Sequence, residues 1–185
     1  MSINHNNKKS KGLIIIIEGL WHAGKTTYGK KLASSLDGVF IDEPDHLRLS
    51  APPPDIEKSY FKTFIKIFTQ AKKMRKNGNV VILDRSALST LAFLAASQRR
   101  KAVKCYTQKI KKLDLQPDIL IILKPPLEKV IEIITNPSHK KFNKIPHLSS
   151  NPKFAERYAN FLYKNYNIIN AKTTLIIRQN FNHLK

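Results

Sequence analysis

The stretch from Leu13 to Thr26 constrains the fold more than any other. Leu13 to Ile17 is an unbroken aliphatic run, largely β-branched and without polar alternation. Such a run suits a strand covered on both faces of a parallel sheet. Glu18 ends it, and Gly19-Leu-Trp-His-Ala-Gly24-Lys25-Thr26 follows, a match to G-x-x-x-x-G-K-[ST]. Helical spacing then holds from Lys25 to Leu36, with Leu32, Ala33 and Leu36 on one face and Gly38 as the expected terminator. A glycine-bounded loop between a strand and a helix turns backbone N–H groups inward around a polyphosphate, and the helix adds its own free N–H groups and positive dipole end. This predicts polyphosphate contacts from Gly19, Trp21, His22, Ala23, Gly24, Lys25, Thr26 and Thr27. Lys25 would bring a charge to the outer phosphates, and the Thr26 hydroxyl is placed to ligate Mg²⁺. The alternative is a glycine-rich turn with no ligand.

The same alternation continues. Strands are predicted over Val39–Ile41, Val80–Leu83, Ile119–Leu123 and Thr174–Ile177. Helices are predicted over Asp55–Asn77, Ser86–Ser97, Lys101–Leu115, Leu127–Ile134 and Phe154–Tyr166. Strands alternating with helices imply an α/β fold, a parallel sheet with helices on both faces. Met1 to Lys11 reads as a disordered polar arm, and residues 12–185 as a single domain. Residues 136–152, with three prolines, three serines and three lysines, read as a mobile loop. Lys140, Lys141 and Lys144 would let it close over phosphates as a lid, or simply form a solvated basic loop.

Composition narrows the setting. At 42% hydrophobic and 25% charged residues, the chain has globular proportions. No apolar run is long enough to span a bilayer, so no membrane partner is expected. Cys105 is the single cysteine, which excludes an intrachain disulfide and points to the cytoplasm. Thirty-three Lys and Arg against thirteen Asp and Glu give a net charge of +20. That favours polyanionic partners such as nucleic acid, nucleotides or anionic lipid. A lysine-, isoleucine- and asparagine-rich chain also arises from codon bias toward A and T. Bias does not explain the stretch from Lys58 to Lys112, where fifteen basic residues stand with one acid, Asp84.

Asp84 and Arg85 directly follow a predicted buried strand. Ligands of open parallel sheets bind beyond the carboxyl ends of the strands, where the glycine loop also lies. Asp84 is therefore a candidate Mg²⁺ residue with Thr26, and Arg85 a candidate to neutralise charge on a transferring phosphoryl group. A loop ion pair, or Asp84 as a helix cap, is the plainer alternative. Asp42, Glu43, Pro44 and Asp45 follow the next strand at the same edge. Glu43 is the chosen catalytic carboxylate there, to take a proton from an attacking hydroxyl or hold the metal's water shell. The alternative is an acidic turn capping a helix. On the long helix Tyr60, Phe61, Phe64 and Phe68 have core spacing, with Tyr60 and Phe64 as candidate substrate contacts beside Glu43 and Arg85.

With these residues in view, the chain resembles the thymidylate kinase and deoxynucleoside kinase group of P-loop kinases. The resemblance rests on Ile16-Ile-Glu-Gly-Leu with Ala23-Gly-Lys-Thr-Thr27, on Glu43-Pro44, and on Asp84-Arg85-Ser86 with Leu88-Ser89-Thr-Leu-Ala92. Gly78, Pro117-Asp118 and Pro125-Pro126 fit the same pattern. It implies a P-loop nucleoside triphosphate hydrolase fold on a five-stranded parallel sheet. It also implies ATP- and Mg²⁺-dependent phosphorylation of a small nucleotide or nucleoside, with Lys25 and Thr26 handling ATP and Mg²⁺. Asp84 and Arg85 would serve the transfer centre, and Glu43 would face the acceptor. A homodimer is compatible with it. Trp21 stands where thymidylate kinases usually carry an acid, His22 where some add an arginine, and the loop at 136–152 has lysines only. These departures fit a nucleoside acceptor, which needs no phosphate clamp, and equally fit a divergent enzyme with another acceptor or an impaired one. Two other readings stay open: an ATP-switched nucleic-acid-binding or polynucleotide-end kinase protein, and a non-catalytic nucleotide sensor.

Overall fold

The computed structural model describes residues 11–44, 55–136 and 151–179. The arm before Lys11, Asp45 and the lid lysines Lys140, Lys141 and Lys144 lie outside the described residues.

Five strands carry the architecture: β1 (Leu13–Gly19), β2 (Val39–Ile41), β3 (Val80–Asp84), β4 (Ile119–Lys124) and β5 (Thr173–Arg178). All pair in parallel, in the order β2-β3-β1-β4-β5. The aliphatic run becomes the central strand for the reason its composition suggests. Ile14 and Ile16 point to one face, Ile15 and Ile17 to the other, and all four are buried. Six described helices connect the strands: α1 (Lys25–Ser35), α2 (Ile56–Lys76), α3 (Ala87–Ala96), α4 (Arg100–Lys112), α5 (Leu127–Thr135) and α6 (Pro152–Asn165). The helices thus lie on both faces, as the alternation predicts, but unequally. Tyr28, Leu32 and Ala33 of α1 cover Ile15, Ile17, Ile82 and Leu123. Residues of α2 to α6 pack with Ile14, Ile16, Val81, Leu83, Leu120 and Ile122 on the opposite face.

The apolar period of α2 carries Phe61, Phe64, Phe68 and Ala71 into this second core. Phe64 is therefore a core residue, 5% exposed, and Tyr60 packs partly buried beside it. Helix α3 is buried along most of its length, which matches its run of Leu and Ala. Gly38 does not end α1 in the expected manner. Asp37 takes the left-handed conformation, at φ 47°, and the Gly38 N–H donates to Ala33 O at 2.8 Å. Glycine serves there for close approach, since a Cβ would meet Val80 O at 2.9 Å.

The edge of the sheet where strands begin is tied by one carboxylate. Asp118, just before β4, accepts from Ile14 N at 2.9 Å, from Arg75 Nη1 at 3.1 Å and from Lys172 Nζ at 2.6 Å. It joins β1, the end of α2 and the start of β5. Burial pushes its pKa up, but the Lys172, Ile14 and Arg75 donors and the Arg75 charge outweigh it and hold the carboxyl below its ordinary value. A depressed pKa contributes stability above the unfolded value that is lost as pH falls through the folded one. We predict that Asp118→Asn costs about 2 kcal/mol at neutral pH, measured by urea unfolding. The gap to wild type should close as pH falls below the ordinary aspartate range. A gap constant with pH would remove the ionised carboxylate from the explanation.

Candidate active site at the strand carboxyl ends

The glycine loop leaves β1 at the opposite edge of the sheet and enters α1. Gly24 caps α1 in the left-handed conformation, φ 70° and ψ 18°, and no atom lies within 4 Å of where its Cβ would stand. That geometry leaves an open cradle beside the first turn of a helix, whose N–H groups favour an anion. His22 is also left-handed, at φ 57°. Lys25 is 7% exposed and donates from Nζ to Leu20 O at 2.8 Å, so its ammonium lies folded along the loop. Burial, and after it the Arg85 charge, lower its pKa to about 8 against the pull of Glu43, Asp84 and Glu18.

The end of β3 meets this loop. Thr26 Oγ1 donates to Asp84 Oδ2 at 2.6 Å. Asp84 Oδ1 is buried and has no hydrogen-bond partner among the described residues. An orphaned carboxylate oxygen is costly unless something else satisfies it. A hydroxyl and a carboxylate in contact beside an anion cradle form the donor set expected for a hard cation bridging to phosphate. The pair Thr26 and Asp84 therefore fits Mg²⁺ by its chemistry. Ser86, not Asp84, caps α3, its side chain accepting from Leu88 N at 3.1 Å.

Arg85 takes the left-handed conformation at φ 73°. Strain of this kind persists where surrounding contacts over-determine it, and here they do. Its N–H donates to Ile17 O at 2.9 Å. Its guanidinium, 3% exposed, donates from Nε to Glu43 Oε2 at 2.7 Å. From Nη1 it donates to Gly19 O at 3.0 Å, Ser89 Oγ at 3.1 Å and Tyr158 OH at 3.0 Å. Burial works against its charge, yet Glu43 and the other acidic groups hold its pKa above the ordinary arginine value. The ion pair read from the sequence as a plain alternative thus exists, but with Glu43 and not with Asp84. Asp42 stands apart, exposed and 3.9 Å from Lys30.

Three residues that sequence reasoning did not select complete the site. Glu18 is fully buried at the end of β1. Its Oε1 accepts from Ser86 N at 2.8 Å and Ser86 Oγ at 2.7 Å, and its Oε2 from Ser89 Oγ at 2.7 Å. Burial raises its pKa, opposed by Arg85, Ser86, Ser89 and Lys25. An acid interrupting a buried aliphatic strand was the available signal. Ser89 bridges Glu18 and Arg85. Tyr158, on α6, has its phenol pushed up to about 12 by burial, and nothing in its spacing set it apart from a core aromatic. Trp21, expected at the nucleotide, turns its ring onto Tyr158 at 4.5 Å and Phe154 at 6.0 Å between centroids. Its side chain braces the loop against α6 and packs on the core rather than on the cradle. Phe64 lines a small internal cavity with Ile16, Phe68, Leu83, Arg85 and Ser86, on the core side of Arg85. Gln179, at the end of β5, donates to Ala23 O at 3.0 Å and fixes the far side of the loop.

No protein-family model matches the chain, and no curated protein matches it by sequence. Solved structures do match in three dimensions. Thymidylate kinase from Candida albicans superposes with a TM-score of 0.66 at 17% identity, covering 91% of this chain and 84% of that one. Thymidylate kinase from Ehrlichia chaffeensis does so with 0.60 at 19% identity, covering 95% and 91%. Deoxyadenosine kinase from M. mycoides, with dATP bound, does so with 0.57 at 21% identity, covering 89% and 90%. The chain therefore has the α/β fold of a P-loop kinase, similar over most of its length to thymidylate and deoxyadenosine kinases.

Proposed function

We propose that the protein is a kinase that transfers the γ-phosphoryl group of ATP to a small nucleotide or nucleoside. The observation that carries this reading is the Thr26–Asp84 contact at 2.6 Å with Asp84 Oδ1 buried and unpartnered, set beside the Gly24–Lys25 cradle. The fold shared with thymidylate and deoxyadenosine kinases supports the acceptor class. Mg²⁺, when bound, supplies charge neutralisation on the phosphates. The chain's own groups position and compensate charge. Backbone N–H groups of residues 19–24 and the start of α1 receive the phosphates. Lys25 exchanges its bond to Leu20 O for phosphate oxygens. Arg85 and Glu43 form an ion pair at the same edge, next to Gly19 O, with the guanidinium buried and the carboxylate exposed. Glu43, accepting from Arg85 Nε, would orient the guanidinium toward a phosphoryl oxygen, so Glu43 acts through Arg85 as much as on the acceptor hydroxyl.

The decisive variant is Asp84→Asn. Mg²⁺-dependent turnover, followed with labelled ATP across nucleosides and their monophosphates, should fall by about 100-fold or more. Affinity for ATP in the presence of a chelator should stay near that of wild type. Unchanged turnover with unchanged Mg²⁺ dependence would overturn the assignment of Asp84.

Lys25 gives a second test, through pH. With its pKa near 8 in the free protein, the ammonium is present below that pH and is lost above it. A bound polyphosphate favours the charged form, so binding above pH 8 requires uptake of a proton. ATP affinity should therefore decline as pH rises past about 8, by up to tenfold per unit. Calorimetry in buffers of different ionisation enthalpy should register the proton. Lys25→Arg, which stays charged, should abolish the decline even where it binds ATP less tightly. A flat profile in wild type would contradict the buried, depressed ammonium.

A further inference from the structure

We propose that the outer face formed by α2 and α4 docks the sugar-phosphate backbone of a nucleic-acid duplex without reading its base sequence. Three side-chain contacts join the two helices in the same order along both, so they run in the same direction. Arg99 pairs with Glu57 near their starts and Lys72 with Asp114 at 3.3 Å near their ends, with the same offset of 42 residues in both contacts. Between them Phe61 packs on Tyr106, at 4.6 Å between ring centroids. These ties make a ribbon about 22 Å long at 1.5 Å per residue. That length is about six or seven base pairs of duplex.

The outer face is basic by arrangement as well as by count. On α2, Lys58, Lys62, Lys66, Lys73 and Lys76 recur at helical spacing along one stripe, opposite buried Phe61, Phe64, Phe68 and Ala71. On α4, Lys101, Lys104, Lys109, Lys111 and Lys112 are all exposed, on the side away from Ile110, the buried residue of that helix. Lys58 lies 4.0 Å from Asp55, and none of the other nine is ion-paired with a described carboxylate. The span from residue 58 to 112 holds fifteen of the chain's thirty-three basic residues and one of its thirteen acids, and that acid, Asp84, is buried in the site. A lysine-rich coding bias raises lysine everywhere. It does not by itself leave Glu57 as the one carboxylate in two helices that carry so many lysines.

The chemistry of the face selects the occupant. A second copy would set lysines against lysines, a juxtaposition that costs energy. An inserted membrane helix needs large apolar side chains beside its cations, and Leu113 is the one strongly exposed large hydrophobic on this ribbon among the described residues. Single strands are gripped by exposed aromatic platforms, whereas Tyr106 is packed on Phe61, with Lys109 at 4.9 Å over its ring. Two rows of lysines with no stacking platform suit the closely spaced charges of a duplex.

The test is fluorescence anisotropy of short labelled DNA and RNA duplexes of unrelated sequence, over a series of salt concentrations. It compares wild type with Lys66→Glu/Lys73→Glu/Lys104→Glu/Lys111→Glu. All four side chains are exposed, so melting temperature and ATP affinity should not move. Duplex affinity should fall at least tenfold, and the salt slope should lose about one unit per lysine replaced. Lys25→Ala should bind duplex as wild type does, which separates this face from the phosphate cradle. The proposal is overturned by absence of duplex binding at physiological salt. It is equally overturned if the fourfold variant binds like wild type, or if phosphatidylserine vesicles or polyglutamate bind as tightly as duplex does.

Discussion

The site depends on how the guanidinium of Arg85 is housed. A buried arginine must find acceptors for its donors, and these come from four separate segments: Gly19 O from the glycine loop, Glu43 after β2, Ser89 on α3 and Tyr158 on α6. Each contact is modest, but a charged group buried without them would be prohibitively costly. The same group accounts for a left-handed backbone at a residue that is not glycine. Lysine could keep the charge but not the planar fork that meets acceptors in several directions.

Glu18 provides the complementary half. It interrupts the aliphatic run of β1 at the point where the strand stops being structural and starts to carry the loop. By accepting from the Ser86 amide, the Ser86 hydroxyl and Ser89, it fixes the start of α3 relative to β1. Arg85 and Glu18 therefore share Ser89, and the two buried charges lower each other's cost. Trp21 adds an apolar brace between the same loop and α6.

How much of this was legible in the sequence follows from the range of each interaction. The fold was readable because local pattern and global architecture agree: a short β-branched apolar run without alternation suits a covered strand, and Gly24-Lys25-Thr26 sits where strand passes to helix. The meeting of Thr26 with Asp84 was readable because the glycine loop leaves the carboxyl end of β1 and Asp84 closes its neighbour β3, which topology brings together. The pairing of Arg85 with Glu43, and the parts played by Ser89 and Tyr158, depend on side chains 42, 4 and 73 residues from Arg85. No periodicity encodes such meetings. The direction of the Trp21 ring was not legible for the same reason: loop position set its backbone, while tertiary packing chose where its ring went. Gly38 shows the reverse error, a residue correctly placed at a helix end but used for its lack of a side chain rather than for its φ.

The Asp118 junction has a consequence of another kind. It ties β1, α2 and β5 at the edge of the sheet where strands begin, while Arg85, Glu18 and the glycine loop occupy the edge where strands end. The two clusters share β1 but no side chain. Substitutions in the cluster at the strand carboxyl ends would thus leave the Asp118 anchorage at the other edge untouched. A scaffold divided in this way tolerates far greater divergence in its chemistry than in its architecture, the pattern expected of a chain that superposes on its structural neighbours while sharing about a fifth of its residues with them.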